Sequence, residues 1–516
     1  MTWQNLVPRP RALSTEPGSF MLTETLSIQT SPHWAAIARR LLSPGTGLEL
    51  PLSSEGELRI HQDSTVAAEG YHLRVSAAGI EITAADDRGV NWAVQTLRQL
   101  LPPSVLRPAP ISEDLEIPAV SISDAPRFSW RGVMLDVGRH FAPLHDLFGF
   151  IDLLALHKYN VLHLHLSEDQ GWRMESLSHP RLHEVGSTRH QTRRLGATEG
   201  DGTPHGGYYT QEQLRSLVRY ADQRGVDIVP ELDFPGHVRA VLAAYPHLGN
   251  HPEKEHAPAD TFGIFEEVLN LSDETMDVVV DLYTELLDIF PSSHIHIGGD
   301  ECPRTEWIAS QAAQELARRR GLPDATHLQH WFTRQLRDLL AARGRRAVGW
   351  DEINDDGHLS GAVTMAWRDR RYGVEAAAAG GEVVMAPCSH LYFDYYPSDD
   401  PGEPYSIGGH TPLEQVYGFD PVDGVDAGDA DRIIGTQCQL WTEYMPTMRR
   451  VQYMMFPRAC AHAEVAWSDP ADRSFEEFRP RLEAHLHRLE ALGVEHRSLA
   501  GPRPWQRGGT GHGARV

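Results

Sequence analysis

Cysteine is scarce. The 516-residue chain carries four, Cys302, Cys388, Cys438 and Cys460, none in CxxC spacing, which excludes a disulfide framework and a cysteine zinc site. Long apolar runs are missing too, and none approaches the roughly 20 residues that a membrane span requires. The opening MTWQNLVPRPRALST has no apolar core of a secretory signal. Together these set the expectation of a reducing, cytoplasmic location. Positive charge is in deficit, with 47 basic against 71 acidic side chains and a net charge of −24. Such a surface repels nucleic acid and anionic membranes, so neither is expected as a partner. Lysine is reduced to Lys158 and Lys254, a bias on which nothing is built.

What is present divides in two. Up to residue 124 short strands and helices alternate. GYHLRVSAAGIEITAA (70–85) reads as a hairpin, and DDRGVNWAVQTLRQLLP (86–102) as a helix stopped by Pro102 and Pro103. The proline-spaced segment 102–120 reads as a boundary linker. The expectation is a small α+β domain over 1–124. From 125 to 500, buried-type strands recur, mostly followed by helical stretches. They are RGVMLDV (131–137), NVLHLHLS (160–167), VDIVPELD (226–233), HIHIGGDE (294–301), RAVGWDE (346–352), AVTMAWR (362–368), EVVMAPC (382–388) and IIGTQCQLWTE (433–443). Eight such units fit an α/β fold of the (β/α)8 barrel type. An open doubly wound sheet is the rival, but no GxGxxG follows the first strand. Pro230 makes the third strand less clean, because it removes a ladder donor. The Gly/Arg-rich tail, 501–516, is expected to be partly mobile.

A barrel of this kind keeps its chemistry at the C-terminal strand ends. There the chain places Arg139 and His140, Glu168 and Asp169, Asp233 and His237, and the adjacent pair Asp300–Glu301. Trp350 and Asp351, Trp367, Tyr392 and Asp394, and Trp441 and Glu443 follow. Carboxylates, indoles and an arginine recurring at strand ends suit a carbohydrate: indole faces pack on sugar C–H faces, and charged groups bind hydroxyls.

RGVMLDVGRHF, NVLHLHLSEDQGW, PELDFPGH, HIGGDE, GWDEI, MAWR and LWTE run in order along the chain. In them the sequence resembles glycoside hydrolase family 20, the β-N-acetylhexosaminidases. LVPRPRAL and GVNWAVQTLRQLLP resemble that family's small N-terminal domain. The resemblance implies retaining removal of terminal β-linked N-acetylhexosamine from an oligosaccharide or glycoconjugate, with the substrate's own 2-acetamido carbonyl as nucleophile. No cofactor is implied. Glu301 would be the general acid and base, and Asp300 would orient the acetamide and balance the positive charge of the intermediate. Tyr392 would hold the acetamide carbonyl, and Trp350, Trp367 and Trp441 would wall its pocket. Arg139, Asp394 and Glu443 would bind hydroxyls. His237 would sit behind Glu301, with Glu168 as its partner.

The chain departs from the family pattern at two places. Glu168 stands where the family usually has aspartate, which puts that dyad's geometry in question. No tryptophan occurs in 395–432, where many members place another indole, and PYSIGGHTPLEQVY (404–417) fills the region instead.

One rival is a metal-dependent amidohydrolase barrel, using His163-x-His165, His294-x-His296 and Asp300. The histidine pairs lie too deep in their strands for an open catalytic metal, so filling of the barrel interior is the preferred reading and no metal is expected. A non-catalytic sugar-binding module is the other rival, but it has no use for the Asp300–Glu301 pair. Linkage, gluco against galacto preference and oligomeric state are not written in the sequence.

Overall fold

Alternating burial along Tyr71–Ser76 and Gly79–Ala84 is what a half-buried hairpin requires. In the computed structural model, which describes residues 5–110 and 113–507, these segments pair antiparallel from Tyr71↔Ala84 to Ser76↔Gly79. They are β4 and β5 of a six-stranded sheet. The others are β1 (Ala12–Met21), β2 (Ile28–Gln29), β3 (Leu58–Gln62) and β6 (Glu116–Asp124), in the order β1-β6-β4-β5-β3-β2. Helix α1 (Pro32–Thr46) and helix α2 (Asp87–Leu100) pack together. The N-terminus of α2 is capped by the Asp86 carboxylate, which accepts from Gly89 N–H at 2.8 Å.

The segment 102–120 is not only a linker. Its second half opens β6, which lies between β1 and β4. Pro118 is tolerated there because it stands opposite Ser19, at the edge of a register shift in β1 and beyond the last pair with β4. A proline needs such an interrupted ladder.

Eight parallel strands then close into a barrel: β7 (Trp130–Asp136), β8 (Val161–His165), β9 (Asp227–Glu231), β10 (His294–His296), β11 (Arg346–Trp350), β12 (Val363–Ala366), β13 (Glu382–Met385) and β14 (Ile433–Leu440), with β14 returning to β7. All eight expected strands are present, but HIHIGGDE is a strand only over its first three residues. Pro230 lies within β9, and the ladder from β9 to β10 is reduced to Glu231↔His296. Helices α3 (Leu144–Leu156), α4 (Gln211–Asp222) and α5 (Asp273–Ile289) stand outside the barrel. The capping box of α4 is reciprocal: Thr210 N–H donates to Gln213 Oε1 at 2.8 Å, and Gln213 N–H to Thr210 Oγ1 at 3.2 Å.

Charged groups pin the sheet domain to the start of the barrel strands. Asp124, which ends β6, accepts from buried Lys158 at 2.8 Å and from Trp467 Nε1 at 2.9 Å. Arg131, at the start of β7, pairs with Glu69, which also accepts from Asn160 at 3.0 Å. These contacts lie at the N-terminal ends of β7 and β8 and leave the opposite face open. Of the tail, residues 501–507 are described, with Trp505 Nε1 and Gln506 Nε2 both donating to Glu495 Oε1. The remainder of that expected mobile segment lies outside the described residues.

Candidate active site

The barrel interior is polar around one residue, Glu231. Its carboxylate lies 3.0 Å from His163 Nε2 and 2.8 Å from His296 Nδ1, pairs with His165 Nδ1, and accepts from Trp350 Nε1 at 2.9 Å. Burial alone would raise its pKa, but His165, His296 and His163 together hold it well below the usual carboxylate range. The histidines of the metal reading are thus divided. His163 and His296 face Glu231, whereas His294 packs edge-on against Trp130 at 5.4 Å. His163, Glu231 and His296 do approach closely enough to hold an ion, but Asp300 groups with Asp233 and His237 instead.

Above this layer the chain leaves β10 through Gly298 and Gly299, at φ +66° and +102°. Gly298 has no alternative, because a Cβ there would lie 1.8 Å from Asp233 Oδ1. Gly299 N–H donates to that same oxygen at 2.9 Å. Glu301 follows at φ +48°, a left-handed conformation costing a glutamate roughly 1–2 kcal/mol. The kink sends the two adjacent carboxylates to different places. Asp300 is buried, while the Glu301 side chain remains 34% exposed.

Asp300 Oδ1 and Asp233 Oδ2 are both buried without a hydrogen-bond partner among the described residues. Each carboxylate has an oxygen within 4.8 Å of the other and of His237. Burial and the neighbouring Asp300 push Asp233 well above the usual carboxylate range, and burial also raises Asp300. Both carboxyls are thus pushed toward the neutral form, Asp233 further than Asp300.

His237 faces this group with Nε2, 3.9 Å from Asp300 Oδ2 and 3.6 Å from Glu301 Oε2. Behind it, Nδ1 hydrogen-bonds Asp169 Oδ2 at 3.1 Å. The expected partner, Glu168, also comes close, 2.9 Å from Nδ1, but neither of its oxygens meets a donor along a hydrogen-bonding direction. Its principal neighbour is Arg139, 2.6 Å away. Glu168 is thus joined by Asp169 behind the imidazole: Asp169 hydrogen-bonds it, and Glu168 supplies negative charge to both His237 and Arg139. The short pairing Ser167–Glu168 with Gly171–Trp172 sets this arrangement. Asp169 is further anchored by Arg239 N–H at 3.0 Å. Burial opposes charge on His237, but Glu168 and Asp169 hold its pKa well above the ordinary imidazole range. Burial likewise opposes ionisation of Glu168, and Arg139 and His237 outweigh it.

Arg139, Asp300, Glu301, Trp367, Tyr392, Asp394, Trp441 and Glu443 all line one cavity of about 320 Å³, near the lower end of the range of small-molecule sites. Trp367 stacks on Tyr392 with centroids 5.9 Å apart, and Tyr392 meets Trp441 at 6.4 Å. Trp367 is set by its neighbours: Nε1 donates to Glu352 Oε2 at 2.9 Å, and its backbone N–H to Asp351 Oδ2 at 2.7 Å. Trp350 is not on the wall. It is fully buried, 5.6 Å behind Trp441, with its indole N–H spent on Glu231. His237 and Glu168 also lie behind the lining rather than in it.

The lining is under-satisfied. Arg139 Nε and Nη1, Asp300 Oδ1, Asp394 Oδ1 and Glu443 Oε2 are buried and lack hydrogen-bond partners among the described residues. Buried polar groups are ordinarily paired, so orphans converging on one cavity mark where a polyhydroxylated ligand completes them. Asp169 and Asp233 stand among the strand-end groups read from the sequence but without a role there, and Glu231 is absent from that reading. Their signal was in LSEDQ and PELD, where carboxylates end strands, but only the turns decide which of them face inward.

Comparison with known proteins finds two family descriptions along the chain. The description "Glycosyl hydrolase family 20, catalytic domain" matches residues 128–470, and "Glycosyl hydrolase family 20, domain 2" matches residues 4–125. A beta-hexosaminidase of Porphyromonas gingivalis is 38% identical over 98% of this chain, which spans 65% of that protein's length. One of Akkermansia muciniphila is 34% identical over 91% of this chain and 93% of its own. Among solved structures, a mutant Streptomyces plicatus beta-hexosaminidase in complex with the product GlcNAc superposes with a TM-score of 0.85 at 30% identity, covering 97% of this chain and 98% of that one.

Proposed function

The chain belongs to glycosyl hydrolase family 20 and is an exo-acting β-N-acetylhexosaminidase, and on that premise we propose how its own residues divide the reaction. The observation that carries the assignment is the single cavity that gathers Asp300, Glu301, three aromatic rings and the unpaired groups of Arg139, Asp394 and Glu443. The sugar's hydroxyls complete those unpaired groups. Its acetamide lies among Trp367, Tyr392 and Trp441, with its N–H on Asp300 and its carbonyl oxygen held by the Tyr392 hydroxyl.

The mechanism is substrate-assisted and retains the β configuration. The acetamide oxygen attacks the anomeric carbon while Glu301 protonates the departing oxygen. The C–O bond to the leaving group breaks, and an oxazolinium ion forms. Glu301, now a carboxylate, takes a proton from water as that water opens the ion. Asp300 remains the fixed anion beside the developing positive charge, an electrostatic role that needs no rearrangement at the moment of reaction. The imidazole of His237, whose pKa Glu168 and Asp169 raise, favours the ionised form of Asp300.

The test is substrate scope. A nitrophenyl β-N-acetylglucosaminide should be hydrolysed with a β product, and the matching β-glucoside, which lacks the nucleophile, should be hydrolysed at least about 10²-fold more slowly. Equal rates on the two would contradict the reading.

A further inference from the structure

A second cavity, of about 700 Å³, opens between the two domains and shares no lining residue with the catalytic one. Helices α1 and α2 of the sheet domain contribute to one side, and α3 of the barrel domain to the other. Junctions between domains are where small-molecule sites preferentially form, and this volume is within their usual range. The wall is closely built. A Cβ on Gly45 of α1 would lie 1.7 Å from the Val105 carbonyl oxygen, so only glycine lets that segment pack there. Leu41, Val105, Leu106, Leu153 and Leu156 belong to the apolar part of the lining.

The charged part is mostly cationic. Four arginines, Arg40, Arg98, Arg107 and Arg224, meet two carboxylates, Asp146 and Asp152, with His145 beside them. In a chain of net charge −24, a local surplus of arginine runs against the average.

Asp152 is also already spent. One of its oxygens pairs with Arg224 Nε, and the other accepts from the Tyr220 hydroxyl at 2.8 Å. Arg98 is left with a neutral partner, its Nη1 donating to Gln95 Oε1 at 2.7 Å, and Arg40 with the carbonyl of Gln223. In both Arg40 and Arg98 the Nε is buried and has no hydrogen-bond partner among the described residues. Burial lowers the pKa of Arg98 to about 10, and the nearby Asp152 does not offset it.

Buried cations without a counter-charge are costly, so these orphaned donors call for an anion. Two cations in surplus match a dianion, and guanidinium groups bind phosphate through forked, charge-assisted hydrogen bonds. The leucines and Val105 offer the remainder of such a molecule an apolar surface. We propose that this interdomain cavity binds a phosphate monoester carried on an apolar body, its phosphate completing Arg40 and Arg98. The site is separate from the glycosidase chemistry and does not depend on it.

The test is isothermal titration calorimetry on the full chain, saturated with N-acetylglucosamine so that the catalytic cavity is occupied. Hexyl phosphate should bind once per chain with a Kd below about 1 mM. Inorganic phosphate and hexanol should each bind at least about tenfold more weakly, since one lacks the methylenes and the other the charge. Arg40→Gln and Arg98→Gln keep a hydrogen-bonding side chain but remove the charge, and each should weaken hexyl phosphate at least about fivefold. Their kcat/KM on a nitrophenyl N-acetylglucosaminide should match wild type, which also reports that they fold. Arg318→Gln, outside the cavity, should leave binding unchanged. On the wild-type chain alone, raising salt from about 0.05 to about 0.5 M should weaken hexyl phosphate at least about threefold. Absence of binding, equal affinities for inorganic and hexyl phosphate, salt-independent binding, or binding that survives the Arg40→Gln/Arg98→Gln double variant would overturn the proposal.

Discussion

Shortening Glu168 to aspartate should lower activity, not restore a usual spacing. The Glu168 carboxylate lies 2.6 Å from Arg139 and 2.9 Å from His237, fully buried. Removing one methylene withdraws it by about 1.5 Å, one C–C bond. At an effective dielectric of about 20, attraction between unit charges falls from about 6 kcal/mol at 2.6 Å to about 4 kcal/mol at ~4.1 Å. Some 2 kcal/mol of the force that holds Arg139 is then lost. Its guanidinium is also drawn toward Asp136, 3.6 Å away, and Glu443. Since Arg139 presents its unpaired nitrogens to the substrate, a loss of about 10–50-fold in kcat/KM is expected for Glu168→Asp. Glu168→Gln keeps the length but removes the charge, and should be at least as severe. The assay is steady-state hydrolysis of a nitrophenyl N-acetylglucosaminide, with circular dichroism to confirm folding. A folded Glu168→Asp variant with wild-type kcat/KM would refute the assignment of Glu168 as the shared counter-charge.

Two further outcomes follow from the same site. The folded pKa of His237 is raised, so its stabilising charge is fully present below the unfolded value of about 6.5 and is lost only as pH rises through the higher folded value. The difference in thermal midpoint between wild type and His237→Gln should therefore be constant from about pH 5 to 6.5 and shrink only well above that. A difference that vanishes between pH 6 and 7 would contradict a cationic His237. Gly298→Ala places a methyl 1.8 Å from Asp233 Oδ1 at a φ of +66°, so activity should fall more than about 10²-fold, and a variant with wild-type kcat/KM would show that this turn does not position Asp300.

The barrel was legible because its strands, buried on both faces, read as short apolar runs closed by chemistry-bearing residues. HIGGDE was legible as the site from its adjacent carboxylates at a strand end and from the family resemblance, while the turn over Asp233 that demands its glycines was not. Strand β6 was obscured by prolines that only a register shift in β1 tolerates. The depth of Trp350 was hidden for another reason. Alternation tells which face of a strand a residue occupies, but not whether it stands at the cavity wall or one layer below. Glu168 and Asp169 are neighbours in sequence, and the turn after them, not their spacing, sets both against the imidazole. That Leu195, Ile264 and Ile407 line the same cavity was hidden, because they come from three loops distant in sequence.

The division of labour between the adjacent carboxylates is the centre of the account, and leaving-group dependence tests it most directly. General-acid help, typically about 10²–10⁴-fold, matters in proportion to the leaving group's need for a proton. Asp300 faces charge that develops whatever departs. The measurement is kcat/KM of Glu301→Gln and Asp300→Asn on a nitrophenyl and on a methyl N-acetylglucosaminide. Glu301→Gln should lose far more on the methyl glycoside than on the nitrophenyl one, while Asp300→Asn should lose heavily and about equally on both. If the better leaving group rescued Asp300→Asn as fully as Glu301→Gln, the two roles would have been assigned wrongly.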